Sequence, residues 1–216
     1  MGKGGRKPGK REDRNKRVGK RTPKLGYYLI VTDTKETERN YFEGLRDSLS
    51  SEIKNHLVIK VKEAKTTYKL IETTDTLVNN SSQYCIPWIV FDKDQVKDFD
   101  NLIKEAEAQG IHVGWSSPCF EIWFFAYFGQ MPVFNSSQEC WKKFKEYLNK
   151  NFNKEYQKNN DNIYKLLVTY GDSKIAIEAA EKRYINDFTN SGKKPSETNA
   201  VTAVFILVKE ILEKIG

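Results

Sequence analysis

Two aspartates after an apolar run have the spacing best suited to metal chemistry in this 216-residue sequence. The run WIVFD ends at Asp92, and Asp94 follows two positions later. Side chains at positions i and i+2 of an extended segment project in the same direction, so both carboxylates could face one ion. Hard ions such as Mg²⁺ and Mn²⁺ prefer oxygen ligands. The spacing therefore allows a divalent-metal site, and it equally allows an acidic turn in which one aspartate caps the next helix.

A second acidic segment follows the first apolar run of the chain. YYLIVTD ends at Asp33, and Glu36 and Glu38 come soon after it. Sites in open parallel sheets form where the carboxyl ends of neighbouring strands meet, so Asp33 is expected to lie near Asp92. The local alternative is that Asp33 or Thr34 caps a helix whose first turn favours acidic side chains. A capping residue and a metal ligand can occupy the same short turn.

The elements that would hold these acids alternate between strands and helices. Four apolar runs, YYLIVTD, LVIKVKEA, YCIPWIVFD and IHVGWSS, are separated by amphipathic segments, which gives the order β-α-β-α-β-α-β. This order predicts an α/β fold with a mostly parallel sheet flanked by helices. After it, FEIWFFAYF is too aromatic for an exposed helix and is expected to pack under or beside the sheet. Residues 136–216 are predicted to be helical, and the last helix is predicted over 197–215.

The chain is predicted to consist of a basic tail, residues 1–24, an α/β domain, residues 25–130, and a helical portion, residues 131–216. The charge distinguishes the tail from the rest. The tail contains eleven Lys and Arg against two Asp and Glu, so the remainder of the +7 chain is slightly acidic. A segment so basic and so poor in apolar residues is predicted to stay flexible. It either solubilises the protein or contacts nucleic-acid phosphates. The side chains proposed for nucleic-acid binding are Arg6, Lys7, Arg11, Arg14, Lys16, Arg17, Lys20 and Arg21, together with Lys93.

Composition argues against several other classes of protein. Three scattered cysteines without a CxxC pair favour neither a disulfide framework nor a zinc site, and two histidines leave little room for a histidine-based triad. No apolar run approaches the roughly 20 residues of a membrane span, and the basic N-terminus lacks the apolar segment of a secretory signal. We therefore expect a cytoplasmic protein without membrane contact.

Several segments also carry a family resemblance. IVTDTKETERNYFEGL, WIVFDKDQVKDFDNLIKEAEAQGIHVGWSSPCFEIWFFAYF and the basic N-terminal extension resemble the RloB family, bacterial proteins encoded in restriction or abortive-infection loci. The match runs from about residue 25 to 130, and SSPCFE is its most specific part. The resemblance implies a TOPRIM-like core with a Mg²⁺ or Mn²⁺ site, a role in phage defence, and an ATPase partner. It places the metal ligands at Asp33, Asp92 and Asp94, with Glu38 and Glu121 as nearby acidic candidates.

The sequence departs from the family pattern at the first turn. Asp33 and Thr34 stand where the family usually has Glu-Gly, and Tyr127 stands where it often has a histidine. Aspartate is one methylene shorter than glutamate, which shifts ligand and proton-transfer distances by about an ångström, and such displacements can cost on the order of a hundredfold in rate. These departures favour an alternative in which the protein is a non-catalytic nucleic-acid-binding or regulatory module.

The leading hypothesis is metal-dependent cleavage of phosphodiester bonds in RNA or DNA. Asp92 and Asp94 would hold the ion, and Asp33 would complete the site or act as general base, with Glu38 assisting. Glu121, an acid inside PCFEIWFF, needs a partner if buried and is either a further metal ligand or an ion-pair anchor.

A different enzyme class also fits part of the sequence. DKDQV matches the DxDx[TV] pattern of haloacid-dehalogenase-like phosphatases, in which the first aspartate is the nucleophile and the second the general acid/base. LLVTYGDSK resembles that family's later Gly-Asp segment. However, the pattern normally opens the domain, and the acid expected four residues after Asp172 is Ala176.

Overall fold

The computed structural model describes residues 23–33, 36–94 and 96–216. The predicted tail, apart from its last two residues, lies outside this part of the chain. So do its proposed nucleic-acid-binding side chains, Arg6, Lys7, Arg11, Arg14, Lys16, Arg17, Lys20 and Arg21. The flexibility of the tail and its role in binding therefore stay predictions.

A five-stranded sheet forms the centre of the fold. Its strands are β1 (Gly26–Thr32), β2 (Leu57–Glu63), β3 (Ile86–Asp92), β4 (His112–Ser117) and β5 (Val201–Thr202). They lie in the order β2-β1-β3-β4-β5, in which β1 to β4 run parallel and β5 pairs antiparallel to β4. The predicted α/β class with a mostly parallel sheet is confirmed.

Helices flank the sheet and dominate the C-terminal region, as predicted. They are α1 (Thr37–Ser48), α2 (Ser51–Lys54), α3 (Leu70–Asn79), α4 (Phe99–Ala108), α5 (Glu121–Ala126), α6 (Ser137–Phe152), α7 (Ile163–Tyr170), α8 (Ser173–Tyr184) and α9 (Val204–Ile215). Short 3-10 turns form at Thr67–Lys69 and Pro195–Glu197, and a π-helical turn follows α8 at Ile185–Thr189. Among the described residues, no helix has the length and apolar character needed to cross a lipid bilayer.

Each face of the sheet has its own apolar core because successive side chains of a strand point to opposite faces. On β1, Tyr28 and Ile30 belong to one cluster, and Leu29 and Val31 belong to the other. The first cluster lies between the sheet and helices α1 and α5 to α9, and the second lies between the sheet and helices α3 and α4. Both faces of the central strands are covered, which explains why β1 and β3 are continuous apolar runs.

The aromatic segment after β4 packs against the sheet, as its composition predicts. It forms α5, and all six residues of this helix are buried, including Trp123 and Phe124, which are fully inaccessible. The one acid in the helix, Glu121, is only 1% exposed. A carboxylate is therefore held at the edge of the core, at the first residue of α5.

The helix predicted over 197–215 is shorter in the structure and begins seven residues later. Helix α9 begins at Val204, and the residues just before it form β5. Ser116 Oγ and Thr202 Oγ1 share a buried hydrogen bond of 2.8 Å, and the backbones of the same two residues pair in the sheet. These contacts with β4 override the helical pattern of ETNAVTA. The sheet consequently takes its fifth strand from the predicted C-terminal portion, whose boundary at residue 131 stays a prediction.

Candidate active site

The candidate site lies where the strand order of the sheet reverses. From β1 the chain continues to β2 on one side of β1, and it returns to β3 on the other side. In such sheets the loops at the carboxyl ends of the two central strands diverge and leave a crevice that binds ligands. Asp33 directly follows β1, and Asp92 is the last residue of β3. The two aspartates are therefore at neighbouring strand ends, as the sequence predicts.

A cavity of about 570 Å³ occupies this crevice, and we name it the acidic cavity. All five acids proposed from the sequence line it, namely Asp33, Glu38, Asp92, Asp94 and Glu121. Its other lining residues are Glu36, Thr37, Thr66, Thr67, Tyr68, Val96 and Lys158. The structure thus brings the proposed acids of three separate chain segments to one concave surface.

The loop that carries the aspartate pair is tied to the end of β4. Lys93 N donates to Ser116 O at 2.9 Å, and Asp94 N donates to Pro118 O at 3.1 Å. These bonds extend the pairing of β3 with β4 beyond the last strand residue. Asp92 is partly buried, and Asp94 is exposed at the mouth of the cavity.

The described aspartates of the two acidic segments do not cap the helices that follow. The N-cap residue of α1 is Glu36 and that of α4 is Asp98, and neither makes a side-chain capping hydrogen bond. Asp33 instead accepts a hydrogen bond from Thr67 Oγ1, with a distance of 3.0 Å to its Oδ2 atom. None of Asp33, Asp92 and Asp94 is the N-cap residue of α1 or α4, so the capping alternative for these three side chains is wrong.

The two glutamates of the site are buried and come from different helices. Glu38 lies in the first turn of α1, where the helix dipole favours an acid, and is 5% exposed. Glu121 begins α5, and its Oε1 accepts a hydrogen bond of 2.9 Å from the hydroxyl of Tyr156. This partner is a phenol from the C-terminal region, so Glu121 has an identified hydrogen-bond donor inside the core.

Burial and mutual repulsion among these carboxylates together determine the electrostatics of the site. The pKa of Asp92 is raised well above its ordinary value of 3.8, first by burial and then by the charges of Glu38, Asp33, Glu121 and Asp94. A bound cation would relieve this repulsion and favour the ionised form of Asp92. The arrangement is therefore a region of concentrated negative charge that attracts cations.

Lys158 is the one basic side chain among the described residues that line the acidic cavity. Burial acts to lower the pKa of Lys158, but attraction to Glu121, Asp92 and Glu38 outweighs it, so that the pKa is raised above 10.5. The lysine is placed by a loop between α6 and α7 whose carbonyl at position 158 accepts a 3.4 Å hydrogen bond from Thr37 Oγ1. Lys158 therefore stays protonated beside the carboxylates.

Three residues of the site carried no signal in the sequence: Thr67, Tyr156 and Lys158. Each lies in a polar connection, where neither periodicity nor a motif distinguishes it from its neighbours. Lys93, which the sequence assigns to nucleic-acid binding, does not line the acidic cavity. Its Nζ donates to the carbonyl oxygen of Ser196, and its assignment stays a prediction.

Comparison with known proteins identifies the family. The family description "RloB-like protein" matches residues 28–211, from β1 to the last helix. The chain belongs to the RloB-like family. No curated protein and no solved structure matches it. The family match extends well beyond residue 130, so the C-terminal helices and Lys158 fall within the RloB-like region.

The donor atoms of this RloB-like site fit a hard divalent ion. Within residues 23–33, 36–94 and 96–216, no three His, Cys, Asp or Glu side chains are grouped closely enough to hold one ion together. Mg²⁺ commonly binds one or two carboxylates and completes its coordination with water and substrate phosphates. A cavity whose described lining offers mainly carboxylate and hydroxyl oxygens, with partly buried Asp92 and exposed Asp94 among them, suits that pattern, in which few protein ligands are needed.

The phosphatase alternative finds no support in this RloB-like structure. Asp172 of the LLVTYGDSK segment is the N-cap of α8, and its Oδ1 accepts hydrogen bonds from the backbone N–H groups of Lys174 and Ile175. It does not line the acidic cavity. The segment that would supply the later acids of a phosphatase therefore serves helix capping.

Proposed function

We propose that this RloB-like protein is a divalent-metal-dependent phosphodiesterase that cleaves nucleic acid, either RNA or DNA. The observation that carries the proposal is the convergence of Asp33, Glu38, Asp92, Asp94 and Glu121 on one cavity at the reversal of strand order. Burial and the repulsion of the neighbouring carboxylates raise the pKa of Asp92, and a bound cation would relieve the repulsion. TOPRIM-like chemistry, which the family resemblance implies, uses acids at these two strand ends.

Each residue has a distinct role in the proposed reaction. Asp92 and Asp94 would hold Mg²⁺ or Mn²⁺, with the buried Glu121 as a further candidate ligand. A bound ion supplies charge stabilisation to the phosphate oxygens. Asp33, oriented by Thr67, accepts a proton from the attacking water, and Glu38 assists it.

The biological setting follows from the family resemblance. We propose a cytoplasmic effector of phage defence that acts through abortive infection and works with an ATPase partner. The basic tail, residues 1–24, would supply contacts with nucleic-acid phosphates that do not depend on base sequence.

Incubation of the purified protein with tRNA, single-stranded DNA and plasmid tests the proposal, each with Mg²⁺, Mn²⁺ or EDTA. We expect cleavage of at least one substrate that requires the metal and falls at least about a hundredfold in Asp92→Asn, because this change removes a proposed metal ligand with little change in shape. Asp75→Asn is the matched control, since Asp75 is exposed on α3 and lies outside the cavity. Cleavage that persists in Asp92→Asn would falsify the assignment. Nucleic-acid binding without cleavage, unchanged by Mg²⁺ and by Asp92→Asn, would favour the non-catalytic module instead.

A further inference from the structure

A groove beside the acidic cavity carries the opposite charge. It has a volume of about 340 Å³, and its lining includes two aspartates and four lysines, Lys93, Lys97, Lys104 and Lys194. Val96 lines both the groove and the acidic cavity, so the two are neighbours across one side chain. We name this surface the lysine groove.

The lysine groove is built by a turn of the C-terminal region that docks on α4. Ser196 N and Oγ donate to the two carboxylate oxygens of Asp100 at 2.8 and 2.5 Å. Lys93 Nζ donates to the carbonyl oxygen of the same serine. These bonds hold Asp100 within the wall of the groove, while the other three lysines are exposed.

We propose that the lysine groove binds the phosphodiester backbone of a nucleic-acid strand, beside the phosphate that enters the acidic cavity. This inference rests on the proposed function, because it assigns the groove to the same substrate. A cavity lined by carboxylates binds a phosphate only when a cation lies between them, whereas lysines donate hydrogen bonds to a phosphate directly. One strand that passes Val96 would therefore meet both surfaces with matching charge.

The spread of the lysines favours a polymer over a small anion. They come from the loop after β3, from α4 and from the turn before β5, so the positive charge is contributed by three separate chain segments. A nucleic-acid strand offers a phosphate every few ångströms, about 3.4 Å of axial rise per nucleotide in a duplex. Lysine contacts with phosphates carry no base information, so binding in the groove would be independent of sequence.

The salt dependence of binding tests the groove. Full-length protein and the triple variant Lys97→Gln, Lys104→Gln, Lys194→Gln are titrated onto labelled single-stranded and duplex oligonucleotides in EDTA, at 50 to 200 mM NaCl. Loss of three phosphate contacts lowers the slope of log affinity against log salt by about 2 to 3. Over this salt range the parent protein should therefore lose roughly 20- to 40-fold more affinity than the variant. Lys93 is left unchanged because it holds the turn.

A second triple variant controls for charge alone. Lys142→Gln, Lys150→Gln and Lys174→Gln remove the same charge from exposed lysines outside the groove, and the slope should stay close to that of the parent. The basic tail is the same in all three proteins, so its contribution to the salt slope cancels when the slopes are compared. Equal salt slopes for the two variants would overturn the proposal that the lysine groove binds nucleic acid, even if metal-dependent cleavage is found. A slope change confined to the groove variant supports the groove even if no cleavage is found, in which case only the proposed catalysis fails.

Discussion

The hydroxyl of Tyr156 donates a 2.9 Å hydrogen bond to Oε1 of Glu121, and both side chains are almost fully buried. Tyr156 lies in the connection between α6 and α7, whereas Glu121 begins α5. The bond therefore joins the C-terminal region to the acidic cavity. It also satisfies a buried carboxylate whose isolation would be costly.

Tyr156→Phe should destabilise the protein by about 1–3 kcal/mol, because it leaves a buried acceptor without its donor while removing only one oxygen atom. Urea unfolding at pH 7 measures the free energy of unfolding. Tyr84→Phe is the control, since Tyr84 is 75% exposed and its hydroxyl is open to water. An equal effect of the two changes would show that the bond contributes no net stability.

Asp92→Asn should stabilise the metal-free protein, and the gain should grow as the pH rises. The pKa of Asp92 is raised in the folded state, mainly by burial, so the folded state binds this proton more tightly than the unfolded state does. Stabilisation by protonation is complete below the unfolded-state pKa of about 3.9 and is lost as the pH rises through the higher folded-state pKa. Above that value the ionised Asp92 opposes folding, whereas the neutral amide does not.

Urea unfolding in EDTA from pH 3.5 to pH 8 measures this difference between parent and variant. Each unit by which the folded-state pKa is raised adds about 1.4 kcal/mol to the gain at neutral pH. For Asp75→Asn, the difference in the free energy of unfolding from the parent should not grow in this way with pH, because Asp75 is exposed on α3. If the stability gained by Asp92→Asn shrinks with rising pH, the pKa of Asp92 is not raised in the folded state.

The main strands and the aspartates at their ends were predictable because both depend on local patterns. Continuous apolar runs mark β1 and β3, and Asp33 and Asp92 mark where the runs stop. Parallel strands then bring such ends together at one edge of the sheet. The contribution of Glu121 also follows from the sequence, as a lone acid in an aromatic segment.

Other parts of the fold and site depend on contacts between distant segments. β5 is two residues long, too short for a detectable alternation, and it is fixed by pairing with β4. Lys158 reaches the cavity and Tyr156 reaches Glu121 because the connection after α6 docks at the start of α1 through Thr37, and no local pattern encodes that path. The lysine groove likewise requires Ser196 to dock on Asp100, almost a hundred positions away in the chain.

Lys158→Gln should strengthen metal binding and weaken catalysis. In the absence of substrate, Lys158 competes with a metal ion for the carboxylates. Because Lys158 itself is exposed, water screens this attraction, which is worth up to about 1 kcal/mol. Calorimetry should therefore show up to about fivefold tighter Mn²⁺ binding. Cleavage should slow because a phosphate in the cavity loses one positive partner. Lys150→Gln, on the exposed side of α6, should change neither quantity, and a Lys158 variant that resembles it would exclude Lys158 from the site.

Gly44→Ala should destabilise the protein even though alanine is the better helix former. In an exposed helix this change gains about 1 kcal/mol. Here a Cβ atom on Gly44 would lie 2.6 Å from Cβ of Tyr164, so α1 and α7 must move apart, and such overpacking costs about 1–3 kcal/mol or more. Urea unfolding should show a net loss of stability, whereas Asn149→Ala, on the exposed side of α6, should be neutral or slightly stabilising. Because α1 also carries Glu38, separation of α1 from α7 should weaken Mn²⁺ binding as well. A stabilised Gly44→Ala protein would mean that the two helices do not approach each other this closely in solution.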